Sequence, residues 1–527
     1  MSEEGAGRVV ETHVSLLVFH DDVVLKYKKP LRLPFLDFST HEARLAACQA
    51  EVEANRRLSP DVYLGVAAVT LGDRVLDHAV VMRRLPADRA LAALVERAGA
   101  ARGQELTARR QELEAELRRL AMRLAGFHAG ARRAPEIDDA ARPDALRRLW
   151  GGCLDALWSE GEPVVDIAAL ARVDELAMAY LSGRAPLFER RITEARICDG
   201  HGDLLADDVF LLDDGPRVLD CLEFDPSLRF VDVIADVVFL VMDLERLGAA
   251  DLAGVFLDAY EQAAGERFPA SLVHHYCAER ALVRAEVACL RAGQRGGEAP
   301  ATGRPRTLVE LARAHLEAGR VVLGVISGPP GTGKSSLAAA LGSRLGWPVL
   351  SSDEIRRELV DPACPGPLTE SAHPGAYSTE VTDRTYARLL DRAAVALGLG
   401  QSVLLDATFT PARWRRRAEA VAATTYSDLV VLRCQAPADI AAGRVQARLA
   451  GGQDVSGADD TVARSMARDT RPWPGSTVLD TSGPLGPVVE QATALLLDGA
   501  LVDPYGSNSS AKRRLVTSSP PTPMASR

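Results

Sequence analysis

Residues Gly328 to Ser335 read Gly-Pro-Pro-Gly-Thr-Gly-Lys-Ser, and this octapeptide decides the fold of the chain's second half. It fits G-x-x-x-x-G-K-[ST], the pattern of a phosphate-binding loop. Before it lie Val321, Val322, Leu323, Val325 and Ile326, an apolar run of strand length. After it come Ser336, Leu337, Ala338, Ala339, Ala340 and Leu341, a helix-forming run. Strand, glycine-rich turn and helix in that order give the pattern a mechanism. Gly328, Pro329, Pro330, Gly331, Thr332 and Gly333 bend the backbone into a nest whose N–H groups face phosphate oxygens. The helix N-terminus at Ser335 and Ser336 adds its dipole, Lys334 reaches the outer phosphates, and Ser335 supplies a hydroxyl for Mg²⁺.

Lysine usage points to a second region. Of 62 basic residues 57 are arginine, and the five lysines are Lys26, Lys28, Lys29, Lys334 and Lys512. Arginine and lysine differ chemically, so a chain this rich in arginine keeps lysine where a compact point charge matters. Three lysines crowd one N-terminal strand, which predicts another phosphate site there.

The 527 residues exceed what one hydrophobic core supports, so two or three domains are expected. The net charge of −10 argues against a general nucleic-acid binder. No apolar run approaches the thickness of a bilayer, and residues 1–8 lack a signal-peptide core. The eight cysteines stand singly, with no C-x-x-C pair, so neither a zinc site nor a disulfide framework is indicated. The expectation is a cytoplasmic protein.

Val14–Phe19 and Val23–Tyr27 flank His20-Asp21-Asp22 and predict a hairpin, with a helix over 41–58 and strands over 63–71 and 75–82 following. Leu106, Leu113, Leu117, Leu120, Leu124 and Phe127 recur at helical spacing. A β-rich stretch spans 196–224, and helices follow. The boundary is placed at residue 318. Beyond it strands at 349–350, 403–405, 428–432 and 477–479 alternate with helices, which predicts an α/β domain with a parallel sheet covered on both faces. Residues 501–527, rich in Ser, Pro and Thr, are expected to be a disordered tail.

Carboxylates at strand ends mark the crevice where ligands bind in such sheets. Asp353, in S-S-D-E-I-R-R, is placed to take a proton from an acceptor hydroxyl, with Arg356 holding an anionic group; a helix-capping role for Asp353 is the alternative. Asp406 closes the strand Val403-Leu404-Leu405 and is placed to orient the magnesium shell. Arg413, Arg415, Arg416 and Arg417 follow on a helix, mostly as solvated charges. Arg444 and Arg448 are spaced i, i+4 ahead of the polar loop 451–458 and suit either a lid over the phosphates or plain surface.

Over residues 320–480 the chain resembles the P-loop small-molecule and polynucleotide 5′-hydroxyl kinases, through G-P-P-G-T-G-K-S, S-D-E-I-R-R, L-L-D-A-T-F and the arginine pair. The resemblance implies Asp353 as general base and Arg356 and Asp406 in the substrate pocket. Between residues 321 and 500 the chain carries 17 basic and 19 acidic residues, which favours a small hydroxyl acceptor over a polynucleotide.

Residues 1–317 carry H-G-D-L at His201–Leu204 and D-C-L-E-F-D at Asp220–Asp225, carboxylates whose crowding suits either a cation-binding site or an acidic surface hairpin. With V-L-K-Y-K-K-P upstream, they resemble the aminoglycoside phosphotransferase-like proteins, which have a two-lobed α+β kinase fold, in a branch fused to a P-loop kinase domain. That resemblance implies Asp203 as catalytic base, Asp220 as the main Mg²⁺ ligand and Asp208 as a second one. It also implies Lys26 on the ATP phosphates, Glu51 as its helix partner with Glu53 in reserve, and Met82 in the hinge that grips adenine. The chain departs from the pattern in three places: Asp208 stands where asparagine is usual, Leu205 where histidine is common, and His20-Asp21-Asp22 replaces a glycine-rich loop.

The expected activity is ATP- and Mg²⁺-dependent phosphoryl transfer to a hydroxyl of a small molecule, with two nucleotide sites and the C-terminal one the favoured catalyst. A regulatory ATPase with a weakly catalytic kinase-like sensor and an aminoglycoside O-phosphotransferase are the alternatives.

Overall fold

The computed structural model describes residues 8–12, 14–33, 36–162, 164–294, 303–363, 368, 373–451 and 473–497. The region 501–527 and most of the loop 451–458 lie outside them. Two compact units result, Met1–Leu181 with Leu187–Gly319, and Ser182–Pro186 with Arg320–Arg527.

The first unit begins with β1 (Val9–Glu11), β2 (Ser15–His20), β3 (Val23–Lys28), the short pair β4 (Arg32–Leu33) and β5 (Leu36–Asp37), then β6 (Tyr63–Leu71) and β7 (Arg74–Arg83). Five of them form an antiparallel sheet in the order β1-β2-β3-β7-β6. Side chains alternate across a strand, so Val24, Lys26 and Lys28 share the buried face of β3. The helix His41–Arg56 covers that face. Thr40 caps it by accepting the Ala43 N–H at 3.2 Å, and Cys48 and Val52 pack with Val24, Val80 and Met82.

The rest of the unit is mainly helical. The leucine periodicity is met by the helix Gly103–Gly130, and after it come a helical turn, Pro135–Asp138, and a 3-10 turn, Asp139–Ala141. Helix Val233–Arg246 is buried on nearly every side, the burial expected of an all-round apolar helix at the centre of a core. The same lobe holds β8 (Ile197–Asp199), β9 (Val209–Leu212), β10 (Gly215–Val218) and β11 (Phe230–Asp232), paired as β8–β11 and β9–β10, with β11 leading directly into this helix. A sheet-bearing lobe followed by a helical lobe is the two-lobed kinase architecture.

The second unit holds β12 (Val322–Ser327), β13 (Val349–Ser351), β14 (Val403–Asp406), β15 (Asp428–Gln435) and β16 (Thr477–Asp480). They form a wholly parallel sheet in the order β13-β14-β12-β15-β16, with helices between successive strands. Every residue of the central strand β12 is buried, as a strand covered on both faces requires. The fold class is that of the sequence reading, a kinase-like α+β unit followed by a P-loop α/β unit. The seven described cysteines are free and buried, and among the described residues no helix is long and apolar enough to cross a membrane.

Candidate functional sites

In the first unit the buried face of β3 builds a charge network. Lys26 Nζ lies 2.8 Å from Glu51 Oε1 and 2.5 Å from Asp220 Oδ1. Lys28 Nζ lies 2.6 Å from Glu51 Oε2 and also pairs with Glu223. Glu51 is fully buried between the two ammonium groups, whereas Glu53 is exposed. Burial alone would lower both lysine pKa values and raise that of Glu51, but the opposite charges outweigh it. Lys26 is held well above its ordinary value, and Glu51 is lowered. Lys29 has its Nζ 2.5 Å from Glu11 and takes no part in this network.

Asp220 sits at φ +61, a left-handed conformation costing roughly 1–2 kcal/mol for a residue with a Cβ. Its N–H donates to the Tyr63 hydroxyl at 3.1 Å, and the next N–H, of Cys221, donates to Asn55 Oδ1 at 2.9 Å. These bonds hold the strained turn that carries the carboxylate to Lys26. Asp203 lies on the loop before β9. That loop is anchored by Asp236, which accepts the backbone N–H groups of His201 at 2.7 Å and Gly202 at 2.8 Å and the His128 ring at 3.0 Å. Desolvation raises the pKa of Asp203, opposed by Arg284, whose Nη1 lies 3.4 Å from both carboxylate oxygens. Asp208 is pushed well above the usual carboxylate range by burial and then by Asp220 and Asp203. Leu205 is buried, and its carbonyl accepts the Asp208 N–H at 3.1 Å. Met82 lies within β7 and points its side chain into the sheet–helix cluster.

Mutually repelling carboxylates fit a cation. Among the described residues no three His, Cys, Asp or Glu side chains gather closely enough to hold a metal alone.

In the second unit the phosphate loop runs from β12 into the helix Lys334–Leu345. A Cβ at Gly328 (φ +137) would lie 2.5 Å from the Cys434 carbonyl oxygen, and one at Gly331 (φ +81) 2.4 Å from that of Ala441, so only glycine fits. Lys334 Nζ and Thr332 Oγ1 both donate to the Pro329 carbonyl, at 3.0 and 2.7 Å. Ser335 and Ser336 are exposed at the helix N-terminus. Asp406 pairs in register with Ile326 and Ser351, so three strand ends meet beside the loop. Asp353 opens the helix Ser352–Val360 two residues beyond Ser351, whose hydroxyl caps that helix.

Arg356 is buried. Its Nη1 donates to the Ala376 carbonyl at 2.9 Å and Thr382 Oγ1 at 3.2 Å, and its guanidinium lies over the Tyr377 ring. It therefore braces the segment 376–382. Arg444 donates to the Thr481 carbonyl at 2.9 Å, and its Nη1 is 3.7 Å from where a Cβ at Gly333 would stand, so it borders the loop. Arg448 follows on the same helix, with its side chain outside the described residues. Arg413 and Arg417 pair with Asp383 and Asp391, while Arg415 is buried and donates to the Phe409 carbonyl at 2.6 Å.

Sequence reasoning missed several of these parts. Thr481 ties the loop down by donating to the Thr332 carbonyl at 2.7 Å. Phe409 takes φ +51 just after Asp406 and is held by the Tyr386 hydroxyl and Arg415. Lys28 was visible as one of the scarce lysines, two residues from Lys26 on the same face. Nothing local to the sequence marked Arg284.

A family described as an AAA domain matches residues 323–472. Two curated relatives, Uncharacterized protein Rv2004c of Mycobacterium tuberculosis and Uncharacterized protein Mb2027c of Mycobacterium bovis, are 39% identical over 491 residues, spanning 92% of this chain and 94% of theirs. Among solved structures, a choline/ethanolamine kinase family protein from Mesorhizobium loti is 15% identical, with a TM-score of 0.37 over 60% of this chain and 87% of that one. A putative kinase from Chloroflexus aurantiacus is 23% identical, with a TM-score of 0.28 over 32% of this chain and 96% of that one.

Proposed function

Because this chain belongs to the same family as Rv2004c of Mycobacterium tuberculosis, with which it aligns over nine-tenths of its length, we propose one activity for the whole two-unit protein: ATP-dependent phosphoryl transfer to hydroxyl groups of small molecules, with a nucleotide site in each unit. The observation that carries the reading is the meeting of β12, β13 and β14, which sets Asp406 and the Asp353 helix beside a loop shaped for phosphates.

In the second unit the loop N–H groups and Lys334 bind the β- and γ-phosphates and spread their charge as the bond to the leaving oxygen lengthens. Asp353 takes the proton of the attacking hydroxyl. Arg444 and Thr481 keep the loop in shape. Arg356 acts by holding the segment 376–382, a different part from direct anion binding. In the first unit Lys26, oriented by Glu51, binds the nucleotide phosphates, and Asp203 accepts the hydroxyl proton. Mg²⁺, held by Ser335 and Asp406 in one unit and by Asp220 and Asp208 in the other, would neutralise phosphate charge when bound. The acidic balance of the chain supports a small acceptor over a polynucleotide.

A second reading, in which the first unit senses nucleotide without transferring phosphate, draws on the β2–β3 turn. There Asp21 (φ +43) and Asp22 present exposed carboxylates where a phosphate cover would need N–H groups.

The test is product formation by the full chain with ATP, Mg²⁺ and a panel of sugars, polyols, nucleosides and amino sugars, followed by mass. Phosphorylated acceptor lost in Lys334→Ala assigns transfer to the second unit, and product lost in Asp203→Asn assigns it to the first. ADP released with no phosphorylated acceptor would refute the phosphotransferase reading in favour of a nucleotide switch.

A further inference from the structure

Beside Asp203 the first unit carries a cation that the transfer chemistry does not use. Arg280 and Arg284 lie one turn apart on the helix Ala270–Gln294 and so share a face. Arg280 is committed to the fold: its Nε donates to the Ala235 carbonyl at 3.2 Å, its Nη1 lies 3.5 Å from Glu279, and its guanidinium sits over the Phe239 ring. Arg284 is not committed in this way. Its side chain is 11% exposed, and among the described residues its one partner is Asp203, reached by a single nitrogen 3.4 Å from each oxygen. A settled guanidinium–carboxylate pair makes two parallel bonds at about 2.7–2.9 Å. Here one terminal nitrogen straddles the carboxylate at longer range, leaving Nε and Nη2 without a hydrogen-bond partner among the described residues.

We propose that Arg284 is the specificity-determining residue for the acceptor at Asp203 and binds an oxyanion on it, so that the substrates of the first unit are hydroxyl compounds carrying a phosphate or carboxylate group. This deepens the proposed function and rests on transfer occurring at Asp203. The planar fork of arginine suits either oxyanion. A polycationic amino sugar would instead meet a fixed positive charge beside the base, which argues against the aminoglycoside alternative. In the reaction the acceptor hydroxyl oxygen bonds to the γ-phosphorus of ATP while the bond from that phosphorus to the β,γ-bridging oxygen breaks. ADP leaves, and the hydroxyl proton passes to Asp203 and on to water.

The experiment uses the full chain carrying Lys334→Ala, so that the P-loop site is silent. Acceptors are supplied in matched forms: a hexose with its phosphate and its uronate, a nucleoside with its monophosphate, glycerol with glycerol phosphate and glycerate, and amino sugars. The expected result is Asp203-dependent product from anionic forms only, the phosphate and carboxylate arms deciding which oxyanion is preferred. Arg284→Gln should raise the acceptor KM by about tenfold or more, with Arg284→Lys in between and the KM for ATP unchanged. A role confined to orienting Asp203 would instead change kcat alike for every acceptor. If Arg284→Gln fails to fold by circular dichroism, Arg284→Lys carries the test, because it keeps the charge and loses the fork. Asp203-dependent product from neutral or cationic forms, with acceptor KM unmoved by the arginine variants, overturns the inference and leaves transfer standing. No Asp203-dependent product from any form overturns transfer at this site and the inference with it.

Discussion

Replacing Lys28 with methionine keeps most of the side chain's volume and removes one buried ammonium group. Lys28 is 3% exposed and serves two carboxylates, Glu51 at 2.6 Å and Glu223. In Lys28→Met, Glu51 keeps Lys26, whereas Glu223 loses its ion-pair partner among the described residues while staying desolvated. Removing one member of a buried pair costs about 3–5 kcal/mol, and the surviving Lys26 contact points to the lower end, about 3 kcal/mol. Against a typical domain stability of about 5–15 kcal/mol this is a large loss. Urea unfolding of the nucleotide-free protein, followed through the transition of the first unit, measures it. The pH dependence gives an independent check. Burial already raises the Glu223 pKa in the parent, against the pull of Lys28, and losing Lys28 raises it further. A carboxyl whose folded pKa lies above its unfolded one destabilises most above the folded value and is relieved as pH falls toward the unfolded one. The deficit of Lys28→Met should therefore be largest near pH 8 and shrink toward pH 5, and adding Glu223→Gln should recover part of it at pH 8. A loss below about 1 kcal/mol, or one independent of pH, would refute the view that Lys28 neutralises this pair.

Gly331→Ala should abolish nucleotide binding at the second unit alone. The φ of +81 costs an alanine roughly 1–2 kcal/mol before the 2.4 Å approach of its Cβ to the Ala441 carbonyl forces the loop open. Calorimetric titration with a non-hydrolysable ATP analogue should then give one site per chain where the parent gives two. Asp208→Asn should stabilise the Mg²⁺-free protein at pH 7–8 and weaken Mg²⁺ binding at the first unit. Because the folded pKa of Asp208 is raised, the parent loses stability as pH rises from the unfolded carboxylate value toward the raised one, and the asparagine variant does not. Thermal melts with EDTA and with added Mg²⁺ across that range test both parts, and parallel pH curves for the two proteins would contradict the assignment. Tyr63→Phe removes the acceptor of the Asp220 N–H and should cost about 1 kcal/mol in chemical denaturation.

The phosphate loop was legible because its requirements are local: a buried strand, glycines at left-handed positions and a helix start all fall within one stretch of about twenty residues. Glu51 against Glu53 was decidable in principle. The two are 200° apart on a helix, and Cys48, Val52 and Asn55 mark the buried face on which Glu51 lies. Arg356 went the other way: its position in the motif pointed to anion binding, but the contacts that claim it come from residues 376 to 382. Arg284 was illegible because it is 81 residues from Asp203, and only the packing of helix Ala270–Gln294 brings them together. The left-handed turn at Asp220 could not be read either. Aspartate carries no signal for positive φ as strong as glycine's, and the Tyr63 and Asn55 contacts that hold it come from distant segments.

The bare approach of Gly331 to Ala441 has a mechanical consequence. At this point the loop backbone rests directly on the Ala441 carbonyl of helix Ala438–Gly451, with the Val445 side chain alongside, and little is left to absorb relative sliding. Loop shape and helix position then behave as a single degree of freedom. A proline placed on that helix well away from any phosphate would register as a change in nucleotide affinity, and nucleotide release would register as a movement of the helix.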